Sequence, residues 1–347
     1  MGCGCTNNCG KSTEEISEFN TNNNNSTSQY NDIFVNNPKL LSKLIKIQSH
    51  YRGMKTRETI QSKINEINEV VPDNNYQANV TSQSLIITDE ELNLLLQNYP
   101  PLDDGVQVEI ISPVEYPTNN SIYYGEWDIK NNIRHGRGIL VWPEGSKYLG
   151  YWVQDKACKK GKLIHSDGDI YEGEWLDDKP NGKGIYLHKD GTVYEGEWKN
   201  DKQEGIGKEK WIDGASYEGE YKNGKKNGKG KFYWADGSYY EGNFVDNNIS
   251  GKGLYIFNDK RKYEGSWENN KLHGYGVFTW PDGRKYEGDY KNDIKEGYGI
   301  FTWNDGKKYK GNWKNGKQHG EGEFFFPTEQ KWKKGVWENG KRIRWIE

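Results

Sequence analysis

A tyrosine recurs every 23 residues through the C-terminal two thirds of this 347-residue chain: Tyr148, Tyr171, Tyr194, Tyr217, Tyr240, Tyr263, Tyr286 and Tyr309. A strict period of this length belongs to repeat architectures, in which each unit is one supersecondary element stacked on the next. Each tyrosine opens a five-residue segment such as Tyr171-Glu172-Gly173-Glu174-Trp175, with variants such as Tyr309-Lys310-Gly311-Asn312-Trp313. The alternation of ring or glycine with polar residues reads as a strand. Asn223-Gly224, Asn292-Asp293 and Asn315-Gly316 follow at the position of a hairpin turn. A second alternating strand comes next, as in Phe278-Thr279-Trp280 and Phe301-Thr302-Trp303. Asp190-Gly191, Asp213-Gly214, Asp236-Gly237 and Asp305-Gly306 then turn the chain into the following unit.

Each repeat is therefore expected to be one β-hairpin. The fold class is all-β, an elongated single-layer antiparallel sheet of about ten hairpins. At about 4.8 Å between strands it would span roughly 95 Å. An opening repeat begins at Tyr123, stretched by two residues, and a degenerate one closes the array around Trp332 to Trp337. Composition agrees: a mean hydropathy of -1.07 is too low for a deep core, while 14 Trp, 24 Tyr and 10 Phe argue against disorder. The glycine at the third position lets tyrosine and tryptophan rings lie flat across the sheet. Two more glycines, such as Gly182 with Gly184 and Gly205 with Gly207, read as turn glycines. Lys159 and Lys260 stand where the pattern has glycine, and each is expected to distort a single turn.

This pattern resembles MORN (membrane occupation and recognition nexus) repeats over about residues 121–340. The resemblance implies a docking sheet. Its aromatic face, with Trp175, Trp198, Trp211, Trp234, Trp267, Trp280, Trp303 and Trp313, would receive a protein helix or peptide. Plant-type phosphatidylinositol phosphate kinases and one class of SET-domain methyltransferases carry such repeats, but their catalysis lies in another domain. No such domain is legible here, so the chain reads as a non-enzyme without catalytic, cofactor-binding or metal-ligating residues. The paired carboxylates Glu172 with Glu174 and Glu195 with Glu197 recur with every hairpin. Pairing with lysines such as Lys208, Lys229 and Lys231 explains them better than catalysis does. His165 and His188 fill the slot of Trp211 and Trp234 and read as ring substitutes.

The net charge of -3 divides into -7 over residues 1–120 and +4 over 121–347, neither basic enough for a nucleic-acid binder. No apolar run is long enough to span a bilayer, and no secretory signal is present. Cys3, Cys5, Cys9 and Cys158 form no disulfide framework, as expected of a chain that stays in the cytosol.

Two sharper signals lie before the array. Ile47, Gln48, Tyr51, Arg52, Gly53 and Arg57 belong to a stretch resembling the IQ motif, Ile-Gln-x3-Arg-Gly-x3-Arg. The motif implies binding of calmodulin or a calmodulin-like light chain; a surface helix packing on the sheet edge is the alternative. A helix is predicted over 38–72, with Leu40, Leu44, Ile47, Tyr51 and Met54 on one stripe. Seven basic residues flank that stripe (Lys39, Lys43, Lys46, Arg52, Lys55, Arg57 and Lys63) against the lone acid Glu58. The other signal is Met1-Gly2-Cys3-Gly4-Cys5-Thr6, which fits the myristoylation rule at Gly2. Palmitoylation of Cys3 and Cys5 would make attachment to membrane lipids stable. A Cys-x-Cys-x3-Cys metal cluster and a plain disordered tail are the alternatives.

The domain reading is a tail over 1–37, the IQ helix over 38–72, a linker over 73–87, a short helix and cap strand over 88–120, and the array over 121–347. Thr88 to Glu91 forms a capping box for the short helix, whose Leu92, Leu95 and Leu96 are expected to dock on an end of the sheet. Val114 to Tyr116 is expected to cap the N-terminal edge. These features describe a calmodulin-regulated scaffold tethered to a membrane. The alternative is a structural part of a cilium, axoneme, basal body or cytoskeleton. A homodimer is compatible with either reading.

Overall fold

The computed structural model describes residues 87–346. The IQ stretch and the acylation signal, with Gly2, Cys3 and Cys5, lie outside the described residues. The fold is all-β, an open antiparallel sheet of 21 strands, with one helix among the described residues, α1 (Asp89–Asn98). These residues fall into two compact units divided after Lys225.

The first unit holds α1 and β1 (Val108–Tyr116), β2 (Ser121–Asp128), β3 (Ile133–Val141), β4 (Lys147–Val153) and β5 (Lys156–Ile164). It continues through β6 (Ile170–Leu176), β7 (Lys179–Leu187), β8 (Val193–Lys199), β9 (Lys202–Lys210) and β10 (Ser216–Lys222). Each strand pairs with the next in antiparallel fashion, so β2 onward is a row of hairpins. β1 pairs with β2 and caps the edge, with a register shift between Ile111 and Val114. The second unit repeats the scheme from β11 (Lys225–Tyr233) to β21 (Lys341–Trp345).

The hairpin turns follow their sequence signals. Asp177 and Asp178 have φ of 49° and 64°, and Asn223 and Gly224 have 51° and 78°. Left-handed backbone at both central positions matches the twist of the flanking strands. In the other turn Gly191, at φ 89°, donates its N–H to the His188 carbonyl at 2.8 Å. Asp190 Oδ1 accepts from Thr192 N–H at 2.8 Å. Lys260 does not distort its turn, since it adopts the left-handed backbone itself at φ 72°. Lys159, at φ 58°, lies within β5 and not in a turn, and there the register shift falls between Gly150 and Tyr151.

Gly184 is not a turn glycine. It lies opposite Gly173 on one side and Gly196 on the other, part of a ladder running Gly161, Gly173, Gly184, Gly196, Gly207 and Gly219 across the first unit. A Cβ on Gly184 would sit 2.4 Å from the Tyr171 hydroxyl, because that ring lies over the ladder. Each repeat tyrosine from Tyr123 to Tyr309 is almost wholly buried this way. The register shifts between Gly173 and Trp175, so Glu174 bulges out of the ladder. Its carbonyl accepts the Tyr171 hydroxyl at 2.9 Å. Trp175 meets Tyr171 edge-on at 5.2 Å, and Trp198 of the next repeat does the same. Edge-to-face contacts of this kind add to area burial. The core is thus a line of rings laid on glycine, one repeat bracing its neighbour.

A candidate docking face on the repeat sheet

Strand alternation gives the sheet two chemically different faces. Tyrosine, glycine and tryptophan share the aromatic face. Of the tryptophans expected to receive a partner, Trp175, Trp211, Trp234, Trp267 and Trp313 are buried in the ring packing. Trp198, Trp280 and Trp303 keep partly exposed edges. The Trp175 indole N–H donates to the Gly161 carbonyl at 3.0 Å, and Trp313 to Gly299 at 3.1 Å, so these rings serve the sheet itself. His188 takes a ring position beside Tyr186 at 4.6 Å, its Nδ1 3.2 Å from Asp169 Oδ2.

A slot among Tyr286, Phe301 and Trp313 holds a cation. Lys295, on β17 (Ile294–Thr302), places Nζ 4.8 Å from the Tyr286 and Phe301 centroids and 5.0 Å from Trp313. Residues of the same slot include Pro180, Gln203, Ile249 and Leu272, each paired with the ring residue of its hairpin. The lysine stem keeps partial exposure, but its ammonium is enclosed. That burial, aided by Arg284, pulls the Lys295 pKa down to about 7. Two residues earlier, burial raises Asp293 to about 6.

The opposite face carries the residues between these positions. On β6 through β10 it presents one row of Glu172, Ile185, Glu195, Lys208 and Glu218, each opposite the next. Glu174, Lys183, Glu197 and Ile206 flank them. Between the rows runs a furrow of about 720 Å³, floored by the backbone of Gly161, Gly173, Gly184, Gly196 and Gly207. Five glutamates against three lysines line it. Lys208 pairs with Glu218 at 3.1 Å, as the cross-strand reading of these charges expects, and Lys162 with Glu172 at 3.6 Å. Glu174, Glu195 and Glu197 form no ion pair among the described residues. Ile185 and Ile206 stand in the furrow 44% and 56% exposed, where apolar side chains gain nothing from the fold.

Further toward the N-terminus the same face is covered. α1 lays Leu92 and Leu95, with Ile87 and Tyr99, over Ile139, Val141, Tyr124 and Leu149. It thus docks on the face of the first repeats, while Leu96 is only partly buried. Both halves of the Thr88–Glu91 capping box are formed. Arg137 clamps the other helix end, donating to the Leu96 and Tyr99 carbonyls at 2.9 and 3.0 Å and pairing with buried Glu126. Lys147 reaches Glu91 at 3.2 Å, and the Tyr151 hydroxyl donates to the Pro100 carbonyl at 2.7 Å. Burial, then Glu172 and Tyr151, push the Tyr99 hydroxyl up to about 12.

The sequence carries a signal for this seat that the periodic reading passed over. At the first glutamate position of the repeat stand Tyr124 and Leu149, and at the second stands Tyr151. Of the four positions where Glu172, Glu174, Glu195 and Glu197 stand in the next two repeats, three are apolar or aromatic where α1 lies, and the fourth keeps Glu126 as the buried partner of Arg137.

The sheet defines a class of protein: a repeat array of hairpins stacked on a glycine ladder, with one face packed by its own rings. The chain belongs to the MORN repeat family, whose model matches nine consecutive segments from 123–147 to 309–330. The tenth hairpin, β20 (Lys331–Glu338) with β21, lies beyond the matched segments. No curated protein sequence matches the chain. Among solved structures it is similar to the TCP10 domain of Danio rerio CPAP in complex with a STIL peptide. That match has 12% identity and a TM-score of 0.38, covering 68% of this chain and 98% of the other. The Drosophila melanogaster SAS-4 TCP domain with a proline-rich motif of Ana2 also matches. There the identity is 12% and the TM-score 0.29, over 55% of this chain and 96% of the other.

Proposed function

We propose that this protein is a non-enzymatic scaffold that docks a helix or peptide of a partner protein on its repeat sheet. The observation that carries the reading is α1. The chain already seats one amphipathic helix on the charged face, by leucines over apolar side chains and by an arginine on the helix's last carbonyls. The furrow beside it extends that seat, with Ile185 and Ile206 as apolar contacts and glutamates around them. On the other face, the partly exposed edge of Trp198 in the first unit and, separately, those of Trp280 and Trp303 in the second offer further docking points.

Calmodulin or a calmodulin-like light chain regulates the scaffold by gripping Ile47, Gln48, Tyr51, Arg52, Gly53 and Arg57. Myristoylation of Gly2 with palmitoylation of Cys3 and Cys5 tethers it to a membrane, since two acyl signals hold where one does not. The match of the first six residues to the acylation rule supports that site.

Fractionation of native cells expressing the tagged wild type beside Gly2→Ala tests the tether. The wild type is expected in the membrane fraction and Gly2→Ala in the soluble one. If both remain in a detergent-resistant cytoskeletal pellet, the protein is a ciliary or cytoskeletal part and the membrane reading fails.

A further inference from the structure

α1 covers the charged face only at the first repeats, and the same face stays open from Lys160 to Glu218. The two stretches are continuous. The space alongside α1 is lined by Tyr99, Lys160 and Glu172, and all three also line the furrow. The exposed isoleucines and unpaired glutamates of the furrow define an occupant that brings an apolar stripe flanked by cations. We propose that the occupant is the basic segment 39–63 of this same chain, seated on the furrow as α1 is seated beside it. The proposal rests on the reading that this face docks helices, and it names the occupant.

Three observations favour this segment. Its sequence places Leu40, Leu44, Ile47, Tyr51 and Met54 at helical spacing, as the two isoleucines require. Its seven basic residues against one acid oppose a furrow of five glutamates against three lysines. By contrast α1 begins Asp89-Glu90-Glu91, and it sits where Tyr124, Leu149 and Tyr151 stand in place of glutamates and Arg137 neutralises Glu126. The two helices and the two parts of the face are complementary in pairs. Finally, the 23 residues between Lys63 and Ile87 can reach at most about 80 Å. The furrow, from β5 to β10, extends only about 24 Å. A tether of that length holds the segment at an effective concentration on the order of millimolar. Because the segment contains Ile47, Arg52 and Arg57, calmodulin and the furrow would compete for it.

Zero-length carbodiimide cross-linking of the full-length protein tests this. The sample is an equal mixture of 14N- and 15N-labelled chains, read by mass spectrometry. Cross-links are expected between Lys39, Lys43, Lys46, Lys55 or Lys63 and the furrow glutamates, within chains of one isotope. They should fall about tenfold in Ile185→Arg/Ile206→Arg, which changes only exposed positions, repels a basic segment and adds no reactive group, and, read at Lys39 and Lys63, in Lys43→Glu/Lys46→Glu/Lys55→Glu, which leaves the sheet untouched. Cross-links between unlike isotopes would mean that a second copy supplies the segment, and the proposal fails. Equal cross-linking to carboxylates of residues 226–346 also overturns it. Suppose a synthetic peptide of residues 38–64 cross-links to the furrow while the tethered segment does not. Self-docking is then wrong but the helix seat stands, and if neither cross-links both readings fall.

Discussion

The Tyr171 hydroxyl donates to the main-chain carbonyl of Glu174 at 2.9 Å, while its ring covers Gly173 and Gly184 on two strands. The same bond recurs from Tyr194 to Glu197 at 3.0 Å, Tyr263 to Ser266 at 2.9 Å and Tyr309 to Asn312 at 3.0 Å. The bulge exposes a carbonyl, the glycines make room for a ring, and the tyrosine answers both.

Gly184→Ala should therefore destabilise the sheet by about 1–3 kcal/mol, since the added methyl must push a buried ring off its bed. Tyr171→Phe keeps the ring and orphans one carbonyl, at a cost of about 1 kcal/mol. Equilibrium urea unfolding checks both. A Gly184→Ala protein as stable as wild type would show that the ring does not rest on the ladder.

Lys260 holds a left-handed backbone at φ 72°, in a turn where other repeats place glycine. Lys260→Gly should raise stability by about 1 kcal/mol, because glycine occupies that region without steric penalty. The expected readout is a higher denaturation midpoint at unchanged m-value. An unchanged or lower midpoint would mean that the lysine side chain repays its strain by a contact of its own.

Stability should depend on pH in opposite senses through Asp293 and Lys295. Asp293, raised from 3.8 to about 6, holds its proton more tightly in the folded chain. It favours the native state below pH 4, and that advantage is lost as pH rises through 6. Lys295, lowered from 10.5 to about 7, gives up its proton more readily in the folded chain. Its burden is full below pH 7 and lifts as pH climbs toward 10. Together they place a shallow stability minimum between about pH 6 and 7. Asp293→Asn should remove the acid limb, and Lys295→Met the alkaline limb. Asparagine fits the turn, since Asn270 Oδ1 accepts the Ile249 N–H at 2.7 Å as Asp293 Oδ1 accepts that of Leu272. Melting curves from pH 4 to 9 for the three proteins decide the matter. Profiles of identical shape would refute the assignment.

Calmodulin should bind the full chain through the stretch from Ile47 to Arg57. Replacing Ile47 by Asp removes the apolar anchor and should weaken binding at least tenfold, a loss of about 1.4 kcal/mol or more. Titration calorimetry with and without calcium measures it. Equal affinity for the two proteins would assign calmodulin another site or none.

Much of the fold was legible because a 23-residue period leaves little choice. The paired Asn, Asp and Gly positions set the hairpins, and alternation sorted rings from carboxylates. The glycine pair was misread as a turn because Gly182 and Gly184 look alike in sequence. Only cross-strand register shows that Gly182, at φ 101°, faces the bulged Glu174, whereas Gly184 lies under Tyr171. The helix seat was missed for a related reason. Tyr124, Leu149 and Tyr151 are small departures within a noisy repeat, and they acquire meaning only as neighbours on one face.

What the sequence determines by itself is local and periodic: the hairpin, its turns, the number of repeats and the division of each strand into two chemistries. Backbone sterics and alternation act within a few residues, so they can be read along the chain. Which face became the core was decided by tertiary structure. Tyrosine rings bridge strands from different parts of a hairpin and tryptophans reach the preceding repeat, so the rings are consumed by their neighbours. The face left over, with its glutamates and two exposed isoleucines, is the one that can take a helix. That assignment depends on contacts between residues that no single repeat contains.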